Sequence, residues 1–402
     1  MIRDQDEALK EIRKSIMHHA DALKNLALKI HSHPELGFEE RKACAWQLSL
    51  LKRWRFDVTT PWAGMATAYR ATRGTGKPTF CFMSEYDALP RIGHGCGHNL
   101  ISAAALGAAQ ALSQVLTARQ IQGTVMVLGT PAEEGQGGKV KLVAGNGMRD
   151  VDAVLLAHPS YRTTPDSGCT AIQRFRIHFM GQSAHAAASP ERARNALDAV
   201  MLLFQGINAW RQQLPESSRI HGIVSDGGVV PNIIPDTAGC VFYLRSPDDN
   251  VLQSMAERFK QIVTGAALMT ATEATIEPWM APYKARWPNA TLNRLYLDSA
   301  ERCGLHPEIP EQPGRGSSDF GDVSQQAPGA HVYFGISRKI IAGHSPDFRE
   351  ASARPYGINQ MLKAAQAMAL VGYRYFSEET VRQSVAHDFS EDQRKRRATA
   401  GN

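Results

Sequence analysis

Three predominantly apolar runs in the first half of the chain constrain the fold most, because each is followed by ionisable side chains. The runs are TFCFM (79–83), GTVMVLG (123–129) and VDAVLLA (151–157). Runs of this kind are typical of parallel strands that helices cover on both faces. After them come, in order, Asp87, the pair Glu133 and Glu134, and His158. Because an open α/β sheet binds ligands at the carboxyl ends of its strands, we expect these side chains to share one crevice.

The loop after the first run, GHGCGHN, brings a cysteine and a histidine close together. Cys96 and His98 are two residues apart, and the flanking Gly95 and Gly97 allow the tight turns that let both side chains reach one cation. A small-residue helix over 101–116 follows, and the partial positive charge of its N-terminus favours the thiolate form of the cysteine. Taken alone, the loop is explained more simply by a buried free cysteine, and only the rest of the chain favours a metal site.

Five side chains at predicted strand ends or in glycine-flanked loops form a candidate metal site: Cys96, His98, Glu134, His158 and His344. One thiolate, one carboxylate and three imidazoles suit zinc, cobalt or manganese, and they exceed what one closed tetrahedral site needs. Two ions that share a bridging group would use all five side chains. A neighbouring glutamate that binds neither ion can then act as a general base on a metal-activated water molecule.

The pattern of elements changes near Gly168, which predicts a second domain. Strands and amphipathic helices then follow in the order β-α-β-β-α-β, which is typical of a ferredoxin-like module. We therefore predict an inserted α+β domain over 170–282 within a discontinuous α/β domain, 1–169 and 283–402, whose sheet is mixed and mostly parallel. A chain of 402 residues is long enough for two such cores.

Charge and composition argue against several classes of protein. The net charge of +6 is modest, and much of it lies in the C-terminal QRKRRATAGN, which we expect to be a frayed tail. The sequence offers no basic face with interleaved aromatic residues, so we expect no nucleic-acid partner. No apolar run approaches about 18 residues, so we expect no membrane span. The charged, helical N-terminus argues against a secretory signal, and six scattered cysteines suit a reducing compartment, so we expect a cytoplasmic protein.

Seven motifs between about His31 and Phe348 resemble those of one metallopeptidase family. In chain order they are SEYDALP, GHGCGHN, TPAEEG, GQSAHA, VPNIIPD, GSSDFG and AGHSPDF. They are similar to the family of aminoacylase, carboxypeptidase G and the plant auxin-conjugate (indole-acetyl-amino-acid) amidohydrolases. The branch that they resemble most contains p-aminobenzoyl-glutamate hydrolase and aminoacylase-like dipeptidases. The resemblance implies a zinc-peptidase-like catalytic domain with an inserted ferredoxin-like domain for dimerisation and closure.

The resemblance also implies roles for the candidate residues. The five metal-site residues named above would bind two divalent ions, with Cys96 at the bridging position. Glu133 would be the catalytic base, and Asp87 would orient a metal ligand from behind. His185 of GQSAHA would cross a dimer interface to polarise the scissile carbonyl in the partner's site.

Asn232 and Arg245 match the family's substrate-binding pair, and a guanidinium fork suits a substrate carboxylate. We therefore expect a homodimeric amidohydrolase with two Mn, Zn or Co ions per subunit. Its small, carboxylate-bearing substrate would be an N-acyl amino acid, a dipeptide or an aryl-amide conjugate. One alternative is hydrolysis of another C–N bond, such as that of an activated aryl amine. A more distant alternative is a non-catalytic binding protein, against which the intact Glu133–Glu134 pair argues.

Two acidic residues near these motifs are assigned other roles. Glu85 stands two residues before Asp87, where carboxypeptidase G relatives carry a metal-binding histidine. We assign no metal to Glu85, because His98 compensates in the cysteine-containing branch. Asp319 of GSSDFG is expected to cap a helix through its carboxylate.

Overall fold

A computed structural model describes residues 2–399 of the chain. The described strands are β1 Asp57–Thr59, β2 Tyr69–Thr75, β3 Thr79–Ser84, β4 Gly123–Gly129, β5 Ala153–Ser160, β6 Ala171–Met180, β7 Arg219–Asp226, β8 Thr237–Ser246, β9 Glu273–Pro278 and β10 Gly329–Gly335. The described α-helices are α1 Ile2–His18, α2 Ala20–Ser32, α3 Arg41–Arg53, α4 His98–Ala118, α5 Gly138–Ala144, α6 Ala196–Trp210, α7 Asp249–Thr270, α8 Ala290–Arg302, α9 Phe320–Ser324, α10 Pro346–Ala351, α11 Pro355–Ser377 and α12 Glu379–Thr399.

The chain divides into two compact units, which are described separately. Of the described residues, the first unit contains 2–168, 286–314 and 318–399, and the second contains 169–285 and 315–317. The sequence assigns 170–282 to the inserted domain, whereas the second unit ends three residues later and includes three residues of a distant loop. The roles predicted for the two units, catalysis and dimerisation, stay predictions.

A six-stranded sheet in the order β1-β2-β4-β3-β5-β10 forms the centre of the first unit. The strands β4, β3, β5 and β10 are parallel neighbours, while β2 pairs antiparallel with β4 and with β1. Every residue of β3 is buried, as expected for a strand that is covered on both faces of the sheet. The predicted mixed, mostly parallel sheet is confirmed.

Helix α4 is the central helix of the first unit. Among residues 2–399, it alone is long and apolar enough to cross a membrane by length and composition. The search of the sequence for long apolar runs did not detect this helix. In the structure, 89% of its apolar window is buried, and the helix packs against α1, α2, α11 and the sheet. Burial inside the unit explains its apolar composition, because the core helix of a globular unit needs the same residues.

The second unit contains a four-stranded antiparallel sheet in the order β7-β8-β6-β9. Helices α6 and α7 pack on this sheet and on each other. Its core includes Phe175, Phe242 and Phe259, whose neighbouring ring centroids are 5.4 Å apart. The chain order β6-α6-β7-β8-α7-β9 confirms the predicted ferredoxin-like module.

The expected frayed C-terminal tail is wrong for the residues that the structure describes. Helix α12 continues to Thr399, and the last three residues lie outside the described part. Asn289 Nδ2 donates to the carbonyl of Val385 at 2.9 Å, and the guanidinium of Arg396 lies 4.2 Å from the ring centroid of Trp287. These contacts with a distant segment hold α12 in place. The charged composition of the C-terminal residues alone does not predict a helix there.

Candidate metal centre

The loop before α4 positions a thiol and an imidazole. Gly97 has a φ of +79°, and a Cβ there would lie 2.5 Å from Cγ of Pro159, so the position requires glycine. His98 follows as the first residue of α4 and is fully buried. The Cys96 Sγ lies 3.3 Å from Nε2 of His158, which lies near the carboxyl end of β5. The left-handed glycine thus lets the cysteine reach the end of a neighbouring strand.

Asp87 supports two candidate ligands from behind. Its Oδ1 lies 2.9 Å from Nδ1 of His98, and its Oδ2 accepts the backbone N–H of Glu134 at 3.0 Å. Because a carboxylate accepts hydrogen bonds, Nδ1 of the imidazole carries the proton that is shared with Asp87. The other ring nitrogen, Nε2, is left for the centre, which is the arrangement expected behind a metal-binding histidine.

Three groups of side chains place their donor atoms within 4.8 Å of one another. They are Cys96 with His98 and His158, Cys96 with Glu134 and His344, and His98 with Glu133 and Glu134. The first two groups share Cys96. The Oε1 of Glu134 lies 3.9 Å from Nε2 of His98 and 3.7 Å from Nε2 of His344. The five residues of the candidate site therefore lie together in the first unit, although they come from four distant parts of the chain.

Two atoms of this centre are buried without a hydrogen-bond partner among the described residues: Nε2 of His98 and Oε1 of Glu134. A buried polar atom left in this state costs ~1–3 kcal/mol, so native proteins rarely contain one without a reason. A divalent cation would interact with both atoms, since imidazole nitrogen and carboxylate oxygen are good ligands for zinc, manganese and cobalt. The residues fit the predicted metal site.

Burial has the largest effect on the protonation of His158 and Cys96. It lowers the pKa of His158 to about 4, so this ring is neutral at pH 7, as a ligand must be. Burial, followed by the charge of Glu134, raises the pKa of the Cys96 thiol well above its usual value, against the opposing effect of His98. Burial thus opposes the thiolate form that the start of α4 is expected to favour. A bound cation would bring the thiol to its thiolate form.

Glu133 lies beside the centre, where it is buried near other carboxylates. Burial, followed by the charges of Asp319, Glu134 and Glu85, raises the pKa of Glu133 well above its usual value, and Lys139 opposes this shift. A carboxyl group with a raised pKa holds a proton closer to neutral pH, which is what a general acid–base group requires.

A buried network of Glu85, Lys139 and Asp319 adjoins this acidic pair. Nζ of Lys139 lies 2.6 Å from Oε1 of Glu85 and 2.6 Å from Oδ1 of Asp319, and all three side chains are fully buried. Asp319 also accepts the backbone N–H of Lys139 at 2.9 Å and makes no side-chain cap at its own helix, α9. The expected helix-capping role of Asp319 is thus met at the first turn of α5, which contains Lys139, and not at α9, and the same carboxylate also pairs with the buried ammonium group.

The second unit contains His185 and Asn232 in adjacent segments. The backbone N–H groups of Ala187 and Ala188 each lie 3.2 Å from Nδ1 of His185 and donate to it. The ring proton is therefore on Nε2, which makes the exposed edge of this imidazole a hydrogen-bond donor. The carbonyl of Asn232 accepts the N–H of Ala186 at 3.0 Å, so the two candidate residues are structural neighbours.

Arg245, the third candidate in the second unit, lies on β8. Its Nη1 donates to Oγ of Ser317 at 2.8 Å, and its Nε donates to Nε2 of His221 at 3.3 Å. Burial, followed by the charge of Arg174, lowers the pKa of Arg245. The guanidinium is thus held in one orientation by a loop and a strand of its own unit.

The family model described as peptidase family M20/M25/M40 matches residues 81–372, which is more than half of the chain. The chain belongs to this peptidase family. It is 34% identical over 393 residues to the mouse Xaa-Arg dipeptidase, and the match covers 92% of this chain and 89% of the mouse protein. It is 35% identical over 305 residues to a component of the p-aminobenzoyl-glutamate hydrolase of Escherichia coli, covering 70% of this chain and 62% of that protein.

A solved structure shares the fold of this peptidase. It is a Bacillus subtilis protein described as a dinuclear metal-binding peptidase of family M20, with a TM-score of 0.66, 21% identity, and coverage of 89% of this chain and 99% of that one. The fold, the family and the branch implied by the seven motifs are confirmed. The peptidase is a metal-dependent hydrolase of amide C–N bonds, as the sequence predicts.

Proposed function

We propose that this peptidase releases an α-amino acid from a small amide, with two divalent ions per subunit and Glu133 as the general base. The observation that carries the proposal is that two donor groups together contain all five candidate side chains and have only Cys96 in common. A shared thiolate allows five protein side chains to hold two ions close together. The description of the Bacillus subtilis relative as dinuclear supports this arrangement.

The metal ligands are assigned by the same two groups. Cys96, His98 and His158 would hold one ion, while Cys96, Glu134 and His344 would hold the other. The mixture of sulfur, nitrogen and oxygen donors suits manganese, zinc or cobalt. Such ions activate a water molecule and polarise a carbonyl oxygen.

The protein groups then move the proton and stabilise charge. Glu133 takes a proton from the attacking water and delivers it to the leaving nitrogen, and its raised pKa favours this return near neutral pH. Asp87 keeps the imidazole of His98 and the backbone of Glu134 in place. His185 donates from Nε2 to the scissile carbonyl oxygen in the partner's site, where negative charge develops.

The substrate class follows from the relatives and from two side chains. An Xaa-Arg dipeptide and p-aminobenzoyl-glutamate are both amides in which the nitrogen belongs to an amino acid. The fixed guanidinium of Arg245, with Asn232, suits the free carboxylate of such a leaving group. We therefore propose dipeptides, N-acyl amino acids or aryl-amide conjugates of amino acids as substrates.

We also propose a homodimer formed through the second unit, located in the cytoplasm. Strand β7 is an edge strand whose Ile223 and Val224 are 66% and 45% exposed. Exposed apolar edge strands promote pairing with another chain, so this strand is suited to contact a second copy. All six cysteines lie within the described residues and none forms a disulfide, which suits a reducing compartment.

The reaction is tested with matched substrates and one variant. Dipeptides, N-acyl amino acids and p-aminobenzoyl-glutamate are assayed beside analogues whose free α-carboxylate is replaced by an amide. We expect the carboxylate forms to react with a kcat/KM at least about 100-fold higher, since the lost ion pair is worth about 3 kcal/mol. Chelation should abolish turnover, and re-addition of manganese, zinc or cobalt should restore it.

The Glu133→Gln variant should lose at least about 10³-fold in kcat while it still binds metal, because it lacks the proton acceptor. A variant as active as the wild type would refute Glu133 as the base. Equal rates on the acid and amide forms of the substrates would refute the carboxylate-binding role of Arg245.

A further inference from the structure

We propose that Glu85 is a sixth side chain of the metal centre, with its oxygen Oε2 as a ligand and with Lys139 holding it in place. The proposal builds on the two-ion site proposed above and departs from the assignment of no metal to this residue. Glu85 directly follows β3, so it enters the same crevice as the other strand-end residues.

The free oxygen of Glu85 faces a candidate ligand. Its Oε2 lies 3.5 Å from Nε2 of His98, and neither atom has a hydrogen-bond partner among the described residues. Two ligand atoms that are each about 2.1 Å from one ion lie about 3.0 Å apart at octahedral angles and about 3.4 Å apart at tetrahedral angles. The observed separation is close to that expected for two ligands of one ion.

The other oxygen of Glu85 is fixed by a buried lysine. Its Oε1 lies 2.6 Å from Nζ of Lys139, and the same ammonium contacts Asp319 at 2.6 Å. Because Lys139 is fully buried between two distant segments, it has little freedom to move. This contact orients the carboxylate of Glu85 so that Oε2, and not Oε1, points to His98.

Structural pairing alone does not explain this carboxylate. Asp319 already provides Lys139 with one buried counter-charge, and it accepts both the side chain and the backbone N–H of the lysine. A second fully buried carboxylate, whose Oε2 has no hydrogen-bond partner among the described residues, is not needed to neutralise one ammonium group. A divalent ion beside Oε2 of Glu85 and Nε2 of His98 would interact with both unpartnered atoms.

The chemistry of the added donor predicts a metal preference. Carboxylate oxygen is a ligand that manganese favours, whereas thiolate and imidazole alone already satisfy zinc. Loss of the Glu85 carboxylate should therefore weaken manganese binding more than zinc binding.

The test measures metal affinity and not turnover. The metal-free full chain is titrated with Mn²⁺ and with Zn²⁺ in competition with a chromophoric chelator, for the wild type, Glu85→Gln and Glu133→Gln. The second variant is the matched control, because it neutralises a neighbouring carboxyl group that is not assigned as a ligand. We expect Glu85→Gln to weaken Mn²⁺ binding at least about tenfold and Zn²⁺ binding less, while Glu133→Gln changes each by less than about threefold.

Two results would overturn the proposal: unchanged Mn²⁺ affinity in Glu85→Gln, or equal losses in Glu85→Gln and Glu133→Gln. If circular dichroism shows that Glu85→Gln is unfolded, Glu85→Asp decides, since it keeps the charge but shortens the side chain. A ligand role predicts the same loss of at least about tenfold in Mn²⁺ affinity, and an affinity within about threefold of wild type refutes it. A wild-type chain that binds no ion would instead refute the two-ion site itself.

Discussion

Among single residues, Glu40 is a buried carboxyl that holds the loop leading into Glu133. Its Oε1 accepts the backbone N–H of Ala132 at 2.8 Å, and its Oε2 accepts the hydroxyl of Thr67 at 2.9 Å. Burial, followed by the charge of Asp87, raises the pKa of Glu40 to about 7 from 4.5. The loop that presents the proposed base is thus tied to a group that titrates near neutral pH.

This shift predicts how stability depends on pH. Because the pKa of Glu40 is raised in the folded protein, the folded state binds more protons than the unfolded state between pH 4.5 and about 7. The stabilisation from Glu40 is full below pH 4.5 and is lost as the pH rises to about 7, by ~1–3 kcal/mol. Glu40→Gln resembles the protonated acid and should remove this part of the pH dependence.

The measurement is urea unfolding of the metal-free chain between pH 5 and 7.5. The matched control is Glu39→Gln, which changes the exposed neighbouring glutamate and should retain the wild-type dependence. If Glu40→Gln loses stability with pH as steeply as the wild type, the raised pKa of Glu40 is wrong.

Among single elements, β7 carries the proposed dimer contact. Ile223→Lys should place a charge on the exposed edge and weaken self-association at least about tenfold, because an edge lysine opposes strand pairing. The control Ile309→Lys changes an isoleucine that is 79% exposed in the first unit and should leave the dimer intact. Sedimentation equilibrium measures both variants. A wild-type chain that is monomeric at high concentration, or a fully dimeric Ile223→Lys variant, would contradict this assignment.

Sequence predicts best those elements whose formation depends on residues that are close together in the chain. The apolar run 123–129 coincides with β4, because every residue of a doubly covered strand must be apolar or small. The N-terminus is predicted to be helical, and the structure divides this helical region into α1 and α2 at His19. The sequence does not predict helix α12, because distant contacts from the start of α8 hold it.

The same distinction applies to the site. Its cysteine, histidines and glutamates stand out in the sequence because they occur in glycine-flanked motifs at strand ends. Lys139 gives no such signal, since lysines are mostly exposed and its burial depends on Glu85 and Asp319, which are distant in sequence. The direction of the Cys96 pKa shift is not predicted for a similar reason, because the proximity of Glu134 and the depth of burial are tertiary properties.

Across the whole molecule, the candidate metal centre connects segments that are far apart in the chain. The loop before α4, the loop after β4, the end of β5 and the loop before α10 all contribute a donor. Metal binding should therefore stabilise the first unit, since a ligand at 100 times its Kd adds about 2.7 kcal/mol to the folded state. A variant that lacks a donor to both ions should therefore lose more metal per chain than a variant that lacks a donor to one ion.

The most direct test of the account is the number of divalent ions bound per chain, measured by plasma mass spectrometry on the wild type, Cys96→Ala and His344→Ala. A shared thiolate predicts two ions in the wild type, one ion in His344→Ala, and fewer than one in Cys96→Ala, because only Cys96 belongs to both groups. A Cys96→Ala variant that retains two ions would contradict the shared-ligand centre on which the proposed mechanism rests.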